Sequence, residues 1–366
     1  MTVDTVATKG PLDLKREVMQ ANLCTSCGLC ASFCPYIKAV GDKVAVIWDC
    51  GRKDEARCYT VCPRTSTDIG VLDARIFGKS RSDYVLGQQD AVLMARSKLT
   101  EAANAGQYGG VVSALMFHQL DSQSARAAVL TATKDGPIPS PMLAHDHAEV
   151  LAAAGSKYGA CPSLVALNKA VKDEPGPVAV VGRPCQVTAV RKWQAMPDQP
   201  EATKVGLVVG LFCFWALSYK FYDYLATKAP LATIKKVDLP KEDFVAYTED
   251  GEIHLPLEEV RPFIKPTCNQ CFDVTAELAD LSVGSTEFDY AWNTLIVRTA
   301  RGKAALEEAI AKGYLETKPL PPEREELLRT VVRNKKRRVL DALRGNGGYG
   351  YLQIDGAVEP EIMGGS

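Results

Sequence analysis

The apolar positions change period along the chain, and each change predicts an element. Helical spacing predicts a short helix from Leu12 to Ala21, and again a helix over Ala91 to Ala103. The glycine-bearing loop Gly106-Gln107-Tyr108-Gly109-Gly110 follows and opens an apolar helix, Val111 to Leu120. Short apolar runs at Pro177 to Val181 and Val205 to Phe212 read as buried strands, the first followed by the turn Gly182 to Gln186 and a helix through Trp193. Strand, turn and helix in that order are an α/β unit with a mostly parallel sheet. Beyond it the pattern predicts a helix over Thr275 to Asp280, an apolar strand beginning at Trp292 to Thr294, and an amphipathic helix from Glu323 to Leu343 that packs or docks. The fold class expected is α/β (α+β), with a small cysteine-rich domain at 1–80, a larger α/β domain at 81–345, and a glycine-rich tail at 346–366 that orders against a partner subunit.

Seven of the twelve cysteines fall in the first of these parts. Cys24, Cys27, Cys30 and Cys34-Pro35 read C-x2-C-x2-C-x3-C-P, the run in which three thiolates face one cubane and the fourth reaches a neighbouring cluster, as in a two-cluster ferredoxin. By that rule Cys24, Cys27, Cys30 and Cys62 hold one 4Fe-4S cluster. The second run, Cys50, Cys58 and Cys62-Pro63, has Lys53 where a ferredoxin has its middle cysteine, so Cys34, Cys50 and Cys58 offer three thiolates. A 3Fe-4S cluster needs three; a 4Fe-4S cluster would need a fourth ligand such as the carboxylate of Asp54. Paired cysteines also bind zinc, but two C-x3-C-P ends are an iron–sulfur spacing. Further on, Cys185 and Cys213 stand at the carboxyl ends of the two expected strands, where open α/β sheets build their sites, and Cys268 and Cys271 form a third pair. Together these four could hold another 4Fe-4S cluster, although Cys213 between Phe212 and Phe214 reads on spacing alone as a buried structural cysteine, as does Cys161.

Charge and hydropathy narrow the class. The formal net charge is -1, so there is no basic field for nucleic acid, and no stretch is apolar for long enough to span a membrane. With no early hydrophobic signal run, and thiolates that must stay reduced, a cytoplasmic location is expected. The Gly106 to Ser113 loop and helix start can cradle a phosphate, since glycines let backbone approach closely and a helix N-terminus presents free N–H groups. No G-x-G-x-x-G fingerprint follows a strand. His118, His145, His147 and His254 sit beside no nucleophile in sequence and read as structural, so no catalytic dyad is expected.

Read in order, Gly106 to Leu115, Ala154-Gly155-Ser156-Lys157-Tyr158, Val181-Gly182-Arg183-Pro184-Cys185-Gln186, Gly210-Leu211-Phe212-Cys213, Cys268-Asn269-Gln270-Cys271 with Ala276 to Asp280, and Trp292 to Thr299 resemble the coenzyme F420 hydrogenase/dehydrogenase beta-subunit family. The resemblance implies a non-covalent FAD beside a 4Fe-4S cluster, often preceded by a ferredoxin-like domain. It also implies an oxidoreductase subunit that passes electrons between iron–sulfur clusters and FAD and exchanges a hydride with coenzyme F420, its partners being other oxidoreductase subunits or ferredoxin. It strengthens the set Cys185, Cys213, Cys268 and Cys271 as cluster ligands. The FAD contacts expected are Gly106, Gln107, Gly109, Gly110 and Ser113, then Ser156, Lys157 and Tyr158, Arg183 with Gln186, and Asn293 with Thr294 after Trp292. Two departures stand out: Arg183 replaces a frequent threonine, and the second cysteine run lacks one member. The phosphate and glutamate tail of coenzyme F420 calls for a basic groove, for which Lys235-Lys236 and Arg191-Lys192 are available. Alternatives are a ferredoxin-dependent reductase of an organic substrate, and an electron-transfer adapter with no substrate of its own.

Overall fold

Residues 9–52, 56–240, 243–344 and 349–364 are described by the computed structural model of the chain, so Lys53 and Asp54 lie outside the described residues. Its largest sheet has eight strands: β1 Ala91–Ser97, β2 Ala127–Lys134, β3 Ile138–Ala144, β4 Val178–Gly182, β5 Val205–Leu211, β6 Leu281–Ser285, β7 Asn293–Val297 and β8 Leu315–Pro319, in the order β8-β1-β7-β6-β5-β4-β2-β3. The central strands β2, β4, β5 and β6 are parallel, and antiparallel strands extend the sheet on both sides. This mostly parallel centre explains the uninterrupted apolar runs, because a strand covered on both faces has no polar side. Val178 and Val180 of β4, with Val205 and Val208 of β5, enter one core; Ala179, Val181, Leu207 and Val209 enter the other.

The second of those cores is closed by the helices Val111–Asp121 and Ala300–Ala311. The first is closed by Leu167–Asp173 and Pro184–Ala195, and it continues without a break into the cysteine-rich unit through Leu14, Val18, Leu29, Ile37 and Val61. Phe33 meets Trp193 edge-on, 5.1 Å between centroids. Within the unit, the first helical segment Pro11–Leu14 runs into a wider turn at Lys15–Met19, close to the helix expected there. A hairpin, Ile37–Val40 against Lys43–Val46, and the helices Leu29–Phe33, Arg57–Thr60 and Ile69–Phe77 complete it.

Three expectations change. Residues 91–97 form the strand β1 where a helix was expected, since an apolar run of that length suits either state and hydrogen bonding to β7 and β8 on both sides decides it. The segment Thr275 to Asp280 is a series of turns: Ala276 adopts φ +57°, and the acids are drawn to buried cations. Glu277 bonds Arg81 and Lys336, while Asp280 meets Arg191 at 2.9 Å and accepts the Val208 N–H at 2.8 Å. The described part of the C-terminal stretch orders against the chain itself. Leu352–Gln353 pairs in parallel with Thr67–Asp68, and helix Val358–Met363 packs Val358 and Ile362 on Val339, Leu340 and Leu343 of the long helix Pro322–Arg344.

One glycine sets how the unit seats on the sheet. Gly28 adopts φ +89° between Cys27 and Cys30, and a Cβ there would lie 2.6 Å from the Pro162 carbonyl oxygen. Replacing Gly28 with alanine is expected to cost about 2–4 kcal/mol, strain and steric overlap combined, visible as a lower midpoint in denaturant unfolding; an unchanged midpoint would refute this role.

Candidate functional site

The first cysteine run is a sequence of tight turns. Ser26 at φ +57° and Gly28 at φ +89° reverse the backbone twice within Cys24 to Cys30, turning successive thiols toward one side, and helix Leu29–Phe33 then carries the chain to Cys34. The Ser26 hydroxyl donates to the Asp42 carbonyl and holds the turn against the hairpin. Helix Arg57–Thr60 brings in Cys58, and the turn after it Cys62. The thiols of Cys24, Cys27, Cys30 and Cys62 lie within electrostatic reach of one another, as do those of Cys34, Cys50 and Cys58, and Cys58 is within reach of Cys30. Cys50 is exposed, and Ile47 and Trp48 stand beside it largely in solvent.

A third set lies at the carboxyl edge of the sheet. Cys185 enters the first turn of helix Pro184–Ala195 directly after β4, Cys213 follows β5, and Cys268 and Cys271 sit in and after the turn Pro266–Gln270. Cys213 interacts with Cys268 and Cys185, and Cys268 with Cys271 and Cys185. Cys185 also interacts with Cys24 and Cys27, so the third set adjoins the first. The Ala216 N–H donates to Cys268 Sγ at 3.3 Å. By electrostatic reach the cysteines fall into the series 34/50/58, 24/27/30/62 and 185/213/268/271, with Cys161 joined to the last through Arg183. Among the described residues no three His, Cys, Asp or Glu side chains gather around one point to hold a single metal ion. The thiolates of an iron–sulfur cluster bind different irons, so the sets described here are a different arrangement from such a point.

Burial raises most of these thiols: Cys58 and Cys62 to about 11, Cys213 to about 12, and Cys24, Cys27, Cys30 and Cys268 in the same direction. Burial acts on Cys271 too, but Lys335 and Arg64 outweigh it and leave this thiol below its ordinary value. The sequence placed none of these cations beside the cysteines. Lys335 reaches the Cys213 carbonyl at 3.1 Å from the long helix, and Lys192 donates to Cys62 O, Thr65 Oγ1, Ser66 O and Thr67 Oγ1 at 2.7 to 3.1 Å. Arg191 and Lys192, expected in a basic groove, are therefore buried structural groups, and Lys235 pairs with Glu249 at 2.9 Å. The signal in sequence was only that Arg64 follows a cysteine–proline end and that the long helix is unusually basic.

The expected flavin contacts divide. Gln107 Oε1 accepts the Ser156 N–H at 3.3 Å, and Gln107 Nε2 is buried without a hydrogen-bond partner among the described residues. Tyr108 and Tyr158 both donate to Asp238 Oδ1, at 3.4 and 3.3 Å, and Tyr108 stacks on Tyr290 at 5.6 Å. Gly109 closes on β7, where a Cβ would meet Asn293 Oδ1 at 2.9 Å, and Gly110 takes φ +69° to start the helix that buries Ser113. Gly106 lies against Gly110 Cα, where a Cβ would come within 2.8 Å. Arg183 and Gln186 converge on the Cys161 carbonyl at 3.3 and 3.1 Å, and Arg183 faces the thiols of Cys185, Cys213 and Cys268. Three residues are committed elsewhere. Lys157 caps the carbonyls of Ala154 at 2.6 Å and Gly155 at 3.0 Å, while Asn293 and Thr294 bond the β6 carbonyls of Gly284 and Ser285. Trp292 packs between Arg96 and Lys318.

One strip of backbone joins the two halves of this site. Ser156 is bonded to Gln107; two residues on, the Tyr158 carbonyl accepts Leu217 N–H and the Ala160 N–H donates to Leu217 O, both at 2.8 Å. Ala216, next to Leu217, bonds Cys268 Sγ. Asp238 and Tyr290, which complete the aromatic wall, carried no sequence signal; Asp238 ends a strand of the three-stranded sheet Ile234–Asp238, Asp243–Thr248 and Gly251–Pro256.

Comparisons with known proteins agree in direction. Residues 92–168 match the family model for the N-terminal part of the coenzyme F420 hydrogenase/dehydrogenase beta subunit, and residues 176–323 match the model for its C terminus. The chain is 35% identical over 246 residues to the coenzyme F420 hydrogenase subunit beta of Methanothermobacter thermautotrophicus, covering 64% of this chain and 86% of that one. It is 28% identical to a coenzyme F420-dependent sulfite reductase of Methanocaldococcus jannaschii, across 78% of this chain and 46% of that longer protein. Among solved structures, it superposes on a chain of the F420-reducing [NiFe] hydrogenase complex from Methanosarcina barkeri with a TM-score of 0.68 at 31% identity, covering 72% of this chain and 94% of that chain. Cys185, Cys213, Cys268 and Cys271 fall inside the matched segments; the first cysteine runs precede them.

Lys192 is the group whose removal reads out the seam most directly. Lys192→Met is expected to lower the unfolding free energy by about 2–4 kcal/mol, because several buried oxygens lose their donor; urea unfolding of the two proteins checks it.

Proposed function

The chain belongs to the coenzyme F420 hydrogenase/dehydrogenase beta-subunit family and is an oxidoreductase subunit, and from that premise we propose that it passes electrons between three iron–sulfur clusters and FAD and exchanges a hydride with coenzyme F420. The observation that carries the reading is the alignment of the three cysteine sets, the last beside the backbone strip that also borders Gln107. Cys24, Cys27, Cys30 and Cys62 would hold one 4Fe-4S cluster, Cys185, Cys213, Cys268 and Cys271 another, and Cys34, Cys50 and Cys58 the outermost centre. Clusters carry single electrons, and a flavin converts these to a hydride.

The protein groups have separate tasks. The exposed surface at Cys50, Ile47 and Trp48 would receive an electron partner, either another subunit or a ferredoxin. Gln107, with a buried amide nitrogen that no group among the described residues accepts from, would donate to the flavin, and Tyr108 and Tyr158, tied to Asp238, would wall it. Arg183, bonded to the Cys161 carbonyl and within electrostatic reach of the inner thiols, would stand between flavin and cluster, a place that suits a planar guanidinium fork. Hydride transfer asks these residues for orientation and exclusion of water, with no acid or base. One observation favours a second reading, reduction of an organic substrate: Arg191 and Lys192 are buried, so the basic groove expected for an acidic cofactor tail does not come from them.

Anaerobic purification with iron, sulfide and flavin counted is expected to return about one FAD and about eleven or twelve irons per chain. The reduced protein mixed with coenzyme F420 is then expected to bleach the deazaflavin absorbance. FAD that is present and reducible without bleaching would favour the organic-substrate reading, and a chain without FAD would sink the proposal. Gln107→Leu is expected to weaken FAD binding about five- to tenfold with iron content unchanged, the loss of one buried hydrogen bond; a fluorescence titration of the flavin checks it.

A further inference from the structure

Arg64 stands where the cysteine-rich unit meets the carboxyl edge of the sheet. It follows Cys62 and Pro63, it is 6% exposed, and its side chain leaves its own unit altogether. Nε donates to Thr267 Oγ1 at 2.9 Å and Nη2 to the Thr267 carbonyl at 3.3 Å, one residue before Cys268. The guanidinium also faces the Cys271 thiol, with Cys185 beyond it. Nη1 donates to Tyr351 Oη at 2.7 Å, and that phenol donates to the Gln270 carbonyl at 2.9 Å, inside the turn that carries Cys268 and Cys271. Arg64, Cys185, Cys271 and Tyr351 line one cavity of about 30 Å³, room for about one water. The charge is therefore fixed in place and poorly screened.

Tyr351 comes from the C-terminal segment that pairs with Thr67–Asp68, so three distant stretches of chain meet on this one cation. We propose that Arg64, positioned by Tyr351, raises the reduction potential of the cluster held by Cys185, Cys213, Cys268 and Cys271, so that this potential depends on both the docked cysteine-rich unit and the docked C-terminal segment. The inference rests on the cluster reading given above for those four cysteines. Reduction adds one electron and no proton to the centre, and the electron comes from the neighbouring cluster in the protein or from dithionite in a titration. The centre gains one negative charge, which a buried fixed cation stabilises in the reduced state more than in the oxidised one. Arg64 acts through the sulfur environment and is a positioning residue; it touches no substrate.

The test is a potentiometric titration followed by electron paramagnetic resonance on the full chain purified without oxygen, with iron and sulfide counted. The inner signal is identified as the one lost in Cys268→Ala/Cys271→Ala. Arg64→Met is expected to lower its potential by at least tenfold in the one-electron equilibrium constant, about 59 mV. Tyr351→Phe is expected to shift it the same way by less, and Arg64→Lys to retain most of the wild-type value. An inner signal whose potential is unchanged in Arg64→Met overturns the inference and leaves the cluster reading standing. If Arg64→Met loses its clusters, Tyr351→Phe decides, and an unchanged potential there overturns it. A wild-type chain with no signal or iron that Cys268→Ala/Cys271→Ala removes overturns the cluster reading together with this inference.

Discussion

The structure depends on placing several thiols close together inside protein without leaving them unanswered. A buried thiol resists ionising, and neighbouring thiols make it harder still, which is why Cys27 and Cys30 are pushed well up. The chain answers by bringing donors to the edge of each set: the Ala216 amide on Cys268, Arg64 and Lys335 on Cys271, and Lys192 on the turn of Cys62. These donors come from remote parts of the chain. The cysteine sets and the tertiary fold are accordingly one design, and loosening the seam between the cysteine-rich unit and the sheet would disturb both.

That seam joins apolar packing with buried polar contacts. Leu29, Val61, Leu164, Val187 and Trp193 form a continuous core across it, while Lys265 reaches Asp42 at 3.2 Å and Arg64 reaches Thr267. The apolar contacts supply most of the stabilisation, since area removed from water scales with the whole interface. The polar contacts fix register, and register is what keeps Cys185 within electrostatic reach of Cys24 and Cys27. Behind the inner cysteines, Arg81, Lys336 and Glu277 form a buried ion cluster that holds the turns after Cys271. Such groups are stable only when each charge is matched, so this loop has little freedom to relax.

The candidate flavin side has a different character. Its glycines do their work against protein, with Gly109 closed on Asn293, while the amide nitrogen of Gln107 is buried without a hydrogen-bond partner among the described residues and Tyr108 joins Tyr290 to Asp238. Residues 156–160 tie Gln107 to the strip of backbone that bonds Cys268. Membership in the coenzyme F420 hydrogenase/dehydrogenase beta-subunit family accounts for the large domain, and the matched segments begin after the cysteine-rich unit. The chain therefore joins a family domain to an amino-terminal group of thiols whose outer end is open to solvent.

The cysteine spacings, the strands at Val178–Gly182 and Val205–Leu211, and the helices at Val111–Asp121 and Pro184–Ala195 were legible in the sequence, because each depends on neighbours within a few turns of chain. The grouping of Cys185 with Cys213, Cys268 and Cys271 was legible only as a possible set, since their separation in sequence says nothing of distance until the parallel strands align their carboxyl ends. What local pattern could not reach was anything decided by a remote partner. Residues 91–97 carry an apolar run compatible with either state, and pairing on both edges made it a strand; Thr275 to Asp280 reads as a helix, and the buried cations Arg81, Lys336 and Arg191 drew its acids into turns. Lys157, Asn293 and Thr294 read as ligand contacts in the sequence, and in the fold each also donates to a nearby backbone carbonyl. Arg64 and Tyr351 were ordinary residues in the sequence, Lys192 was assigned to a different role and Lys335 only to a basic helix, and the folded chain, by burying their charges and hydroxyl near the thiols, placed them.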